Sequence, residues 1–137
     1  MRLPLLLGAS LAGLAVVAGA FGSHGLRGMV GERSLEVFQT ATTYQMYHAI
    51  ALVLVSVLSA TRISRRLLAV SAGFLGAGIL LFSGSLYLLV LTEMRWPGPI
   101  TPIGGVCFMV AWVILAVAAL RPAVSEGTRG EAPEKQR

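Results

Sequence analysis

The residues that could do chemistry are few. The chain has two histidines, one cysteine and no aspartate. His48 is the one that draws the eye, because it lies inside a long uncharged run with Tyr44 and Gln45 one turn before it. An ionisable side chain within a membrane-crossing segment is by default a functional-site hypothesis. An imidazole could carry a proton or ligate a metal or haem. Gln39, Ser83, Ser85, Tyr87, Thr101 and His24 are the other polar residues expected near the same level of the fold. Together they suggest a small polar pocket facing outward.

Most specific chemistries fail on residue type. Without aspartate there is no Ser-His-Asp arrangement. His24 and His48 alone make a poor metal site, since no acidic or thiolate group joins them at one depth, and Cys107 is placed on another segment. A bis-histidine haem would rest on that single pair. Glu36 and Glu93 lie at segment boundaries, not together as an acid–base pair. No glycine-rich loop follows a strand, so phosphate cradles fail on context. Tyr44, Tyr47, Trp96 and Trp112 read as interfacial or packing aromatics. No catalytic residue, metal or cofactor is expected. The plainer reading of the polar set is favoured: these side chains hydrogen-bond neighbouring helices and fix their register.

The elements that would position them are membrane spans. The 137 residues are 55% apolar and 12% charged, with a mean hydropathy of +0.78. Four stretches fall between charges: Leu3–Ser23, Val37–Thr61, Leu67–Thr92 and Trp96–Leu120. Each supplies the roughly 20 residues a helix needs to cross the hydrocarbon. None alternates as a spanning strand would. The expected fold is all-α: residues 1–120 form an integral membrane bundle of four transmembrane helices, with spans at about 3–21, 37–60, 67–91 and 101–120. Residues 121–137 form a polar tail, expected to be disordered and cytoplasmic.

Small residues recur at helical spacing. Gly8, Ala12, Ala15, Gly19 and Gly22 share one face of the first span. Ala69, Gly73, Gly76, Ala77 and Gly84 do so on the third, and Gly104, Phe108, Ala111, Leu115 and Ala118 on the fourth. Such seams let membrane helices approach closely. The first seam favours a retained span over a cleaved signal peptide, although Arg2, the leucine run and Ala18-Gly19-Ala20 also resemble a cleavable leader. On the second span Ala41, Tyr44, Gln45, His48, Leu52, Val55 and Ser59 share a face expected to turn inward. Ser34 is the expected N-cap of that helix and Thr101 of the fourth.

The net charge of +5 does not point to nucleic acid, because the basic residues sit at helix ends and in the tail rather than in a patch. They set topology instead. Eight (Arg2, Arg62, Arg65, Arg66, Arg121, Arg129, Lys135, Arg137) fall on one side and three (Arg27, Arg33, Arg95) on the other. The excess marks the cytoplasmic side, which places both termini inside a bacterial cytoplasmic membrane. The expected partners are the lipid bilayer and a second copy or another membrane protein.

Several short motifs occur in order: Gly19-Ala20-Phe21-Gly22-Ser23-His24, Gln39 with Tyr44-Gln45 and His48, Phe82-Ser83-Gly84-Ser85-Leu86-Tyr87, and Thr101-Pro102-x-Gly104-Gly105 with Phe108 and Trp112. On these the chain resembles the YgdD-like family of small membrane proteins, domain-of-unknown-function family 423, related to eukaryotic transmembrane protein 256. The resemblance covers about residues 5–120. Ser23 stands where alanine is usual and Ala111 where glycine often precedes the tryptophan. The resemblance implies a multi-pass inner-membrane protein with its first span retained, and it supplies no biochemical activity. Three functions stay open. The leading one is a non-enzymatic structural or accessory protein that binds lipid or a partner helix through its glycine seams. The others are a small oligomeric transporter or proton-linked permease, and a membrane redox or haem protein.

Overall fold

The computed structural model of the chain describes residues 2–93 and 96–121. Among them there is no strand, and four helical spans are each long and apolar enough to cross a membrane. Helix α1 is Arg2–Ala20 and continues into a π-helical turn, Phe21–Gly25. Helix α2 is Glu32–Leu58. Helices α3 (Arg65–Gly78) and α4 (Gly84–Thr92) form one span, joined by a second π-helical turn at Ile79–Ser83. Helix α5 is Ile100–Leu120. The tail expected beyond residue 121 lies outside the described residues.

The helix ends differ from the sequence expectation in instructive ways. α2 starts at Glu32, not near residue 37, and Gly31 rather than Ser34 takes the N-cap position, with no side-chain cap. Glu32 puts a negative charge in the first turn, where it suits the helix dipole, and Glu36 pairs with exposed Arg33 at 3.4 Å. The loop before it turns at Gly28, whose φ of +87° favours glycine. At the far end of the third span Glu93 takes the left-handed conformation, φ 56°, which closes the helix by turning its last carbonyls. α5 starts at Ile100, preceded by Pro99, again with no side-chain cap. Thr101 therefore does not cap it; its hydroxyl goes elsewhere, as described below.

Helix α2 is the most buried span and α1 the least. α1 packs along α2, α3 packs along α5, and α2 joins the two pairs. Ala41, Gln45, His48, Leu52, Val55 and Ser59 of the expected inward face are buried, together with Phe38, Thr42, Ala49 and Ala51. The buried face is broad because α2 has neighbours on more than one side. Ile50, Leu54 and Val57 face outward, toward lipid. One apolar cluster joins Leu52 and Val55 to Leu68, Leu75, Ile79, Phe108 and Ala111. A second, at the end of the bundle near the α1–α2 loop, is built from Leu26, Phe38 and Val90 with Tyr87 against them. In lipid, apolar burial gives helices little reason to associate, so close packing and interhelical hydrogen bonds must hold the bundle.

α1 and the third span do not close on each other. The cleft between them, floored by α2, holds two separate apolar hollows. The hollow toward the α1–α2 loop, about 510 Å³, is lined by Leu14, Val17, Phe38, Leu80, Gly84 and Tyr87 among others. The hollow toward the start of α1, about 400 Å³, is lined by Arg2, Pro4, Leu7, Leu52, Ala69 and Gly73 among others.

Candidate functional site

Gln45 and His48 are the polar centres, and α2 positions both. Three residues apart, they differ by about 60° around the helix axis. That is enough to send them to different neighbours. Gln45 faces α1 and α4. Its Nε2 donates to the Leu11 carbonyl at 2.8 Å, and its Oε1 accepts from the Tyr87 hydroxyl at 2.8 Å. A carbonyl can only accept, so the amide nitrogen must point to Leu11 and the oxygen to Tyr87. One buried amide thus ties three spans together.

His48 faces α5. Its Nδ1 lies 2.7 Å from the Tyr44 carbonyl one turn back on α2. The carbonyl accepts, so Nδ1 carries the hydrogen, which in the neutral ring leaves Nε2 as an acceptor. The imidazole lies flat on Phe108, 3.4 Å between centroids and 9° between planes. Trp112 meets it edge-on at 6.3 Å. Tyr44 stacks on Phe82 at 4.7 Å and is 41% exposed, which makes it the rim of this aromatic set.

The hydroxyls make further ties between helices. Ser83 donates to the Ala41 carbonyl at 2.8 Å, joining the second π-helical turn to α2. Ser85 lies 2.6 Å from the Thr101 hydroxyl and 2.9 Å from the Phe82 carbonyl, joining α4 to the start of α5. Ser71 donates to the Ala111 carbonyl at 3.0 Å. Sequence reasoning missed Ser71, because a lone serine among Leu, Val and Ala carries no motif; its position on the buried stripe of Leu68 and Leu75 was the available signal. Among the described residues no fully enclosed side-chain nitrogen or oxygen lacks a hydrogen-bond partner.

The residues expected in one pocket therefore occupy separate places. Gln45 with Tyr87 lines the hollow beside α1 near the α1–α2 loop. His48 with Tyr44 lines a groove beside α5. Ser83, Ser85 and Thr101 are tied between helices. Gln39 is exposed near the start of α2, and its backbone carbonyl accepts from the Thr42 hydroxyl. His24 is exposed on the turn that ends α1 and shares none of the contacts of His48. Among the described residues no three His, Cys, Asp or Glu side chains group as a metal site would need. Cys107 is a half-buried free thiol.

The glycine seams also divide. A Cβ on Gly8 would sit 2.7 Å from the Ala49 carbonyl and 2.8 Å from Val53, and one on Gly22 would sit 2.9 Å from Phe38. A Cβ on Gly104 would collide with the backbone of Phe82. These three permit close approach, and Ala12 and Ala77 are half-buried. Gly19, Gly73, Gly76 and Gly84 correct the expectation. A Cβ on any of them would meet nothing within 4 Å. The reason is the open cleft: Gly73 and Gly84 line it, so no helix comes down on them. Gly78 was not singled out, yet the ring of Phe108 lies directly against it.

Comparison with known proteins agrees with this architecture. A UPF0382 membrane protein of Staphylococcus aureus (strain bovine RF122 / ET3-1) is 46% identical over 125 residues, covering 88% of this chain and 98% of the relative. The UPF0382 membrane protein YwdK of Bacillus subtilis (strain 168) is 46% identical over 122 residues with the same coverage. A UPF0382 membrane protein of Staphylococcus epidermidis is 42% identical over 125 residues, again covering 88% and 98%. No solved structure matches the chain. The family model described as "Protein of unknown function (DUF423)" matches residues 18–105, the stretch that carries Gln45, His48, Ser83, Ser85, Tyr87 and Thr101. On the family model and on these relatives, the chain is a membrane protein of the DUF423 family.

Proposed function

We propose that the protein is a non-enzymatic accessory component of a bacterial cytoplasmic membrane, with both termini on the cytoplasmic side, which holds anionic phospholipid in the cleft between α1 and the third span. The observation that carries this reading is the cleft itself. It is apolar, runs between helices long enough to cross a membrane, and has Arg2 at the end nearest the start of α1, beside Pro4 and Leu7. A basic residue at the cytoplasmic end of a gap between spans suits a lipid phosphate, and the gap below suits its chains. The polar residues support a structural role for the bundle, since Gln45, Ser71, Ser83 and Ser85 all bond across helices. The bond from Gln45 to Leu11 also favours a retained first span, because cleavage after Ala20 would remove its acceptor.

Native mass spectrometry of the full chain from its own membrane tests this directly. The expected spectrum shows the uncleaved chain with one anionic phospholipid, and Arg2→Gln loses most of that adduct. A bare chain, or one carrying a second polypeptide in place of lipid, overturns the lipid reading. A pH-dependent flux in proteoliposomes that His48→Gln abolishes would establish the transporter instead.

A further inference from the structure

On the α5 side of α2, away from the lipid cleft, His48 presents a feature the bundle does not use. The side chain is 5% exposed. Its Nδ1 hydrogen is committed to the Tyr44 carbonyl, and Nε2 has no hydrogen-bond partner among the described residues. Since no fully enclosed polar side-chain atom lacks a partner among the described residues, Nε2 is open to the neighbouring groove rather than sealed in the core. That groove is about 690 Å³, lined by Tyr44, Phe82, Phe108 and Trp112 with Pro102 and Gly105.

We propose that this groove is a binding site for a membrane-soluble hydroxylated aromatic ring, of the quinol type, with its hydroxyl donating to Nε2 of His48 and its ring lying among the aromatic side chains.

Each part of the ligand's chemistry follows from the wall it meets. The site lies within the spans, so the ligand arrives through the bilayer. Nε2 is an acceptor in the neutral ring, so the ligand supplies the donor. Aromatic walls favour a flat ring in offset or edge-on contact. Gly105 adds no side chain to the groove, and the exposed apolar side chains of Met109 and Val113 that complete its lining suit an aliphatic tail. The volume falls within the range of small-molecule sites. The proposal concerns binding alone and stands whether or not the cleft beside α1 holds lipid.

The test uses the full chain in lipid nanodiscs with decylhydroquinone, the reduced form of a decyl-substituted benzoquinone, as probe. The chain has two histidines, and His24→Gln leaves His48 as the sole reporter for ¹⁵N-histidine NMR. The expected result is saturable binding that moves the Nε2 resonance of His48 while leaving Nδ1 in place. The oxidised benzoquinone, which lacks the donor, is expected to bind roughly tenfold more weakly, the loss of about 1.4 kcal/mol. His48→Phe keeps a flat ring against Phe108 and removes the acceptor, and is expected to lose a similar factor. Non-saturable partitioning, an unmoved Nε2 resonance, or equal binding of quinol and quinone each overturns the proposal. So does a tight dimer whose partner helix covers the groove. The quinol–quinone comparison needs no change at His48, so it decides the matter even if His48→Phe does not fold.

Discussion

The ring of Phe108 is held between His48 on one face, 3.4 Å away, and Gly78, where it takes the space a side chain would fill. The glycine is therefore what lets α5 bring its aromatic ring under α2. Gly78→Ala is expected to destabilise the bundle by about 1–3 kcal/mol, the range for overpacking a close contact. Gly73→Ala, with nothing within 4 Å of the new methyl, is expected to be neutral within about 0.5 kcal/mol, as for other changes away from packed features. Unfolding by sodium dodecyl sulfate, followed by circular dichroism, ranks the two. Equal effects would show that the chemistry of the substitution, not the space around it, decides the outcome.

The amide of Gln45 makes a different claim. A double-mutant cycle of Gln45→Leu and Tyr87→Phe isolates its bond to α4. The expected coupling is about 0.6 kcal/mol and no more than about 1.7, the range measured for interhelical hydrogen bonds in membranes. Gln45→Leu alone is expected to cost more than Tyr87→Phe alone, because it also removes the donor to Leu11. Strict additivity would mean that the 2.8 Å contact contributes nothing to stability.

The Ser85–Thr101 pair is asymmetric. Ser85 also bonds the Phe82 carbonyl, whereas among the described residues the Thr101 side chain has Ser85 alone. Ser85→Ala should therefore be the worse substitution, since it leaves the Thr101 hydroxyl unsatisfied near the apolar start of α5; unmade bonds cost more than made ones contribute. Thr101→Val should be milder. Thermal aggregation midpoints in mild detergent check the order, and the reverse order would show that Thr101 finds solvent or headgroup partners.

Orientation can be read by labelling. In a Cys107→Ala background, Met29→Cys sits on the exposed loop before α2 and Ala60→Cys on the turn after it. With both termini cytoplasmic, an impermeant maleimide added to spheroplasts labels residue 29 at once and residue 60 only after permeabilisation. The opposite pattern inverts the topology and turns Arg2 away from the cytoplasmic leaflet.

The four spans were legible because a run without charge is decisive wherever water is absent. The inward face of α2 was legible from its period. What the period could not give is which neighbour each side chain would meet. Gln45 and His48 share a helical face, yet α1 and α5 approach that face from different sides, so one expected pocket became two sites. The small residues show the same limit. Gly73 and Gly78 look alike along the chain, but only Gly78 has a ring against it. Both π-helical turns were invisible for a physical reason: an i→i+5 bond leaves no mark in residue type. The cap expected at Ser34 failed because α2 begins earlier, at Glu32, and that at Thr101 because its hydroxyl serves Ser85 on another helix.

The hairpin of α1 and α2 completes its own contacts, with Gly8 against Ala49 and Val53 and the amide of Gln45 on Leu11, before any residue of α3 is required. During synthesis the first two spans can thus pair before the rest of the bundle arrives, with the Gln45 oxygen and the Ala41 carbonyl still waiting for Tyr87 and Ser83. The α3–α5 hairpin then docks on a surface already set, with the Tyr87 hydroxyl meeting an amide whose orientation the first bond has fixed. A chain severed within Ala60–Ser64 should on this logic still assemble from two separately made halves.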